Sequence, residues 1–103
     1  MMTGWIDVCG VDDIDEEDLI SWDYEGHTYA IYHTEEGFFA SDVMCTHEDQ
    51  SLAEGLVIGT VIECPLHQGR FDIRSGKAMS SPVCIDLKTY ETRIENGRVL
   101  INL

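Results

Sequence analysis

Basic residues are scarce in this chain: six Lys and Arg stand against twenty Asp and Glu, a formal net charge of −14 over 103 residues. Such a surface repels phosphate, which excludes nucleic acid as a partner and makes a basic protein surface the natural complement. Long apolar runs are missing as well. No stretch approaches the roughly 20 residues that a membrane helix needs, and Met1-Met2-Thr3-Gly4-Trp5-Ile6-Asp7 has no basic region leading into an apolar one. The sequence predicts no membrane association and a cytoplasmic location. It also lacks a Gly-x-Gly-x-x-Gly after a strand and is too short for a Rossmann unit, so neither a flavin nor a nicotinamide site is expected. Linkers, repeats and low-complexity runs are absent too. With 44% hydrophobic and 25% charged residues the chain is ordinary globular material, and its length suits one domain spanning residues 1–103.

Cysteine and histidine are rare, four of each, yet half of each fall into two short motifs. These are Cys45-Thr46-His47 and Cys64-Pro65-Leu66-His67. Two thiolates and two imidazoles fit either a tetrahedral zinc ion or a [2Fe–2S] cluster in which two histidines replace two cysteines on one iron. The order of ligands separates the two. Zinc knuckles tend to draw like ligands from one turn, whereas here each loop mixes them, as a Rieske cluster requires when both loops grip both irons. One Rieske [2Fe–2S] cluster per chain, held by Cys45, His47, Cys64 and His67, is therefore expected. A zinc-stabilised binding module is the alternative from a different class. Cys9 and Cys84 have no neighbouring His or Cys, and reduced, partly buried thiols are expected there.

Short β-rich segments separated by glycine turns recur along the chain, at spacings of about 8 to 12 residues, and predict an antiparallel all-β fold. Candidate strands are 5–8, 20–24, 27–33, 37–41, 60–63, 70–73, 89–95 and 98–102. Glu25-Gly26, Glu35-Glu36-Gly37 and Asn96-Gly97 read as hairpin turns, the last of type I′. The expected architecture is a β-sandwich with a small cluster-binding insertion at about residues 42–82. Within it, residues 48–55 suit one helical turn ended by Gly55. Ser80-Ser81-Pro82 suits a third loop over the cluster, and the acidic run 12–18 suits a solvated turn or a short helical start.

The motifs, with Glu63-Cys64-Pro65-Leu66-His67-Gln68-Gly69-Arg70-Phe71-Asp72, Ser75-Gly76-Lys77-Ala78, Pro82, Lys88-Thr89-Tyr90 and Ile94-Glu95-Asn96, resemble the Rieske-type ferredoxins of bacterial aromatic-ring-hydroxylating dioxygenases, most nearly the naphthalene dioxygenase type. The resemblance implies that Cys45 and Cys64 bind one iron, and that His47 and His67 bind the other. It also implies transient partners, a flavoprotein reductase that supplies the electron and a terminal oxygenase that receives it, and a monomer. A small Rieske subunit of another oxidoreductase, such as nitrite reductase, is the alternative within the same class. High-potential Rieske proteins carry an extra cysteine in each loop, and Ser and Tyr hydroxyls after the second histidine. Here Leu66, Gly69 and Phe71 stand at three of those places. Fewer donors to sulfur predict a potential near the low end of the Rieske range, about −150 mV.

An oxygen-activating enzyme would need a separate iron held by two histidines and a carboxylate. Only His27 and His33 remain for it, on one predicted strand and roughly 20 Å apart along it. The chain is expected to be an electron carrier and not an enzyme.

Overall fold

The computed structural model describes residues 4–46, 50–65, 68–79 and 85–103. Ten strands run through them: β1 (Trp5–Gly10), β2 (Asp18–Tyr24), β3 (His27–Thr34), β4 (Gly37–Asp42), β5 (Leu56–Ile58), β6 (Val61–Glu63), β7 (Arg70–Asp72), β8 (Thr89–Tyr90), β9 (Thr92–Glu95) and β10 (Arg98–Asn102). They form three sheets with the orders β1-β10-β9, β2-β3-β4-β8 and β5-β6-β7, every pairing antiparallel. The expected all-β sandwich with a loop-bearing addition is what forms.

The predicted turns hold for local reasons. Glu25 and Gly26 have φ of 49° and 81°, Asn96 and Gly97 of 51° and 76°, the left-handed pairs a type I′ turn demands. The third hairpin closes differently: Glu36 N–H donates to Thr34 Oγ1, which itself donates to Gly37 O.

Strand β3 explains the layering. Its sequence His-Thr-Tyr-Ala-Ile-Tyr-His-Thr is apolar on both faces through its middle, and residues 29–32 are all buried. Alternation sends Tyr29 and Ile31 into one cluster with Cys9, Ile14, Ala40, Val99 and Ile101. Ala30 and Tyr32 face a second cluster with Leu19, Val43, Leu52, Val57, Ile62, Phe71, Ile73 and Leu87. Full burial of such a side chain contributes about 1.5–3 kcal/mol. The polar atoms inside are paired: Ser41 Oγ donates to Asp42 O, so the Tyr32 hydroxyl donates to Ser41 Oγ at 2.8 Å.

Three expectations need correction. The single run 89–95 is two strands, because β8 pairs with β4 whereas β9 pairs with β10. Between them Glu91 O accepts the Asn102 N–H. Strand β5 has no counterpart among the expected strands: Leu56, Val57 and Ile58 are all apolar, so the sequence shows no alternation there, although only Val57 is buried. The helical turn is a 3₁₀ turn, Leu52–Glu54, with Ser51 Oγ accepting the Ala53 N–H at 3.1 Å. Gly55 follows it in extended rather than left-handed backbone.

Candidate metal centre

Cys45 and Cys64 lie at the ends of hairpin-like segments built alike. In the first, Leu52 N–H donates to Val43 O at 2.7 Å, Met44 bridges Ser51, and Cys45 N–H donates to Gln50 O at 2.9 Å. In the second, Ile62 pairs with Phe71, Glu63 with Arg70, and Cys64 N–H donates to Gly69 O at 2.7 Å. Each cysteine amide thus closes a loop on the carbonyl five residues later, and the histidine of the motif falls within that loop. The two tips are equivalents, although the motifs differ in spacing by one residue.

Cys45 and Cys64 are buried and belong to the same hydrophobic cluster. A thiolate carries a charge that an apolar interior disfavours, so two buried cysteines at the mouths of matched loops suit a cation, and their softness suits iron–sulfur or zinc chemistry. His47 and His67 lie outside the described residues, as do Leu66, Ser80-Ser81-Pro82 and Cys84. Gln68, on the second tip, has φ 55°. Phe71, where a high-potential protein carries a tyrosine, is fully buried and offers no hydroxyl.

The tips are braced by contacts that the motifs did not disclose. Thr46 Oγ1 donates to Ile85 O at 2.6 Å, joining the first tip to the segment that follows residue 84. Met79 N–H donates to Arg70 O, and Asp86 Oδ1 accepts the Ala78 N–H at 2.8 Å. Arg70 holds Glu63 through Nε at 3.0 Å and Nη2 at 2.9 Å, a cross-strand pair at the base of the second tip. No sequence signal marks these residues, because each partner is distant in sequence or a main-chain carbonyl. Around the tips Met44, Met79 and Ile85 are exposed apolar side chains.

The remaining candidates are placed elsewhere. His27 is exposed, with Nε2 2.8 Å from Asp42 Oδ1, an oxygen that also accepts the Tyr90 hydroxyl at 2.6 Å. Burial, followed by Asp42, pushes the Tyr90 hydroxyl far up, so it stays a donor. His33, at the other end of β3, has Nδ1 2.7 Å from Ile14 O and stacks on Phe38. The structure does not bring these two histidines together. Cys9 is buried in the sandwich core, and burial followed by the Asp13 charge pushes its thiol up. Trp22, Phe38 and Phe39 pack against the cores, whereas Trp5 lies under the Arg93 guanidinium, 4.3 Å from the ring centre.

The acidic run sits away from the tips. Glu17 N–H donates to His33 O, and Glu17 Oε2 accepts the Gly59 N–H at 2.7 Å. His33 lies at the end of β3 opposite the β4 exit toward Cys45, and Gly59 is in the β5–β6 turn, at the opposite end of β6 from Cys64.

Residues 4–91 match the Rieske [2Fe-2S] domain. The chain is 43% identical to the ferredoxin component of the naphthalene 1,2-dioxygenase/salicylate 5-hydroxylase systems of a Ralstonia species, over 100% of this chain and 99% of that one. It is 44% identical, over the same shares, to the naphthalene 1,2-dioxygenase ferredoxin component of Pseudomonas putida. Among solved structures, a chain in the complex of reduced oxygenase and oxidized ferredoxin in carbazole 1,9a-dioxygenase superposes with a TM-score of 0.92 at 32% identity, covering 98% of this chain and 94% of that one. Two buried cysteines on matched tips, within a match that runs through both Cys and His loops, place the chain in the Rieske [2Fe-2S] domain family.

Proposed function

We propose that this chain is a one-electron carrier, receiving electrons from a flavoprotein reductase and passing them to the terminal oxygenase of an aromatic-ring-hydroxylating dioxygenase system. The observation that carries the reading is the pair of equivalent tips, each presenting one cysteine from a common buried cluster. Full-length likeness to ferredoxin components of naphthalene dioxygenase systems supports the choice of partners. Cys45 and Cys64 are assigned to one iron, His47 and His67 to the other, within a single domain whose residues 42–82 form the cluster-holding unit. When bound, the cluster supplies a reversible one-electron couple.

The protein's own residues define how that couple is used. Leu52, Ile62 and Phe71 surround the cysteines with apolar groups and exclude water from their side. The bracing bonds from Thr46, Met79 and Asp86 hold the tips against the segments at residues 78–79 and 85–86. Exposed Met44, Met79 and Ile85 supply a small apolar surface, which suits the short-lived complexes of electron transfer. The acidic run, at the far end, acts on approach and not in the contact. A cytoplasmic location fits a chain with no described helix long and apolar enough to cross a membrane.

Purified protein should be red-brown, with iron, acid-labile sulfide and a Rieske electron paramagnetic resonance (EPR) signal on reduction; a colourless zinc protein would refute the reading. A midpoint near −150 mV is expected from the missing hydroxyl donors, and one above about +100 mV contradicts the tuning argument. Reductase-to-carrier rates should fall as ionic strength rises, and salt-independent rates would remove electrostatic steering.

A further inference from the structure

Gly55 is where the two tip-bearing segments meet, and its backbone conformation does not explain the glycine. Its φ of −86° and ψ of −166° are extended backbone that any residue adopts. What the position lacks is room. A Cβ there would fall inside the van der Waals wall of the Glu63 carbonyl oxygen, and lie 3.1 Å from Leu52 O. Both neighbours are main chain, so neither can turn aside as the end of a side chain would. Glu63 is bonded to Cys64. Leu52 belongs to the first segment, through its bond to Val43 O, and Gly55 N–H donates to Leu52 O at 2.9 Å.

We infer that the missing side chain at Gly55 sets the separation of the two Cys and His loops, making it a positioning residue for the iron–sulfur site. The inference rests on the ligand assignment proposed above. One added methyl group drives the strand of Glu63 away from the first segment by on the order of 1 Å, and Cys64 moves with it while Cys45 stays with Leu52. Displacements of that size are enough to spoil a metal site. Gly59, in the same sheet, is the natural control. Its φ is 60° and a Cβ added there would meet nothing within 4 Å, so it is needed for conformation and not for space.

The test compares the iron-loaded proteins carrying Gly55→Ala and Gly59→Ala. Gly59→Ala is expected to lower Tm while keeping the wild-type EPR g-values, midpoint potential and iron retention. Gly55→Ala is expected to shift the g-values and potential and to weaken iron retention against a chelator by roughly tenfold, with the near-ultraviolet circular dichroism of the sandwich tryptophans unchanged. A Gly55→Ala protein with wild-type g-values and iron retention overturns the inference. So does global unfolding of that variant with loss of the tryptophan signal, because residue 55 would then be a general packing position. Wild-type protein with no Rieske signal would overturn the ligand assignment itself.

Discussion

Strand β3 serves two cores, and they are built differently. On one face Tyr29 and Ile31 meet Val99 and Ile101 between sheets whose longer strands run five to eight residues and whose hairpins turn tightly. On the other, Ala30 and Tyr32 meet Leu52, Ile62 and Phe71, beside a sheet of three strands with three residues each. That second core contains Cys45 and Cys64. Strands this short make few ladder bonds by themselves, so the loop-bearing layer is expected to lean on metal binding more than the sandwich does.

The largest effect should come from removing a ligand. Cys64→Ala or His67→Ala is expected to abolish cluster assembly and to loosen the loop-bearing layer, while the circular dichroism of Trp5 and Trp22 persists. A normal Rieske spectrum in His67→Ala would show the ligand assignment to be wrong, and loss of the tryptophan signal would show that the two cores are one cooperative unit. Core truncations sharpen the contrast next. Phe71→Ala should cost about 3–5 kcal/mol and Ile101→Ala about 2–5 kcal/mol in denaturant unfolding. Only Phe71→Ala should also weaken iron retention, and equal iron loss from both would erase the distinction.

Tyr32→Phe probes the shared strand more gently. Its hydroxyl is buried, with its proton given to Ser41, and burial pushes its pKa far up. Losing that bond should cost about 1 kcal/mol, read as a shift of the unfolding midpoint without a spectral change. The smallest effect is on the acid side. The hydrogen bond from Arg74, with its charge and two main-chain N–H groups, holds the Asp72 carboxyl below its usual range against the opposing effect of burial. A carboxyl lowered in the folded state stabilises above its unfolded pKa of about 3.9, and that contribution is lost as pH falls through the lower folded value. Asp72→Asn should therefore flatten the loss of stability below about pH 4, and an unchanged acid profile would remove Asp72 from the account.

The site and the fold were legible to different depths. Cys45, His47, Cys64 and His67 stand out because ligand chemistry restricts residue type and spacing, whatever surrounds them. The turns at Glu25-Gly26 and Asn96-Gly97 were legible because left-handed backbone is a local demand. Strand β5 was hidden because Leu56-Val57-Ile58 is apolar throughout and shows no alternation, and the break at Glu91 by pairing with two partners far apart in sequence. Of the two conformations open to the acidic run the turn is the one that forms, and its position, touching His33 and Gly59, followed only from packing.

By itself the sequence determined the two mixed Cys and His motifs, the all-β class and the absence of hydroxyl donors at Gly69 and Phe71, since these depend on which groups the residues carry. Tertiary structure decided which segments meet. It buried both faces of β3, matched the two tips through their cysteine amides, and brought Gly55 against the carbonyl before Cys64. Such contacts depend on where main-chain atoms distant in sequence come to lie, and no residue type announces that.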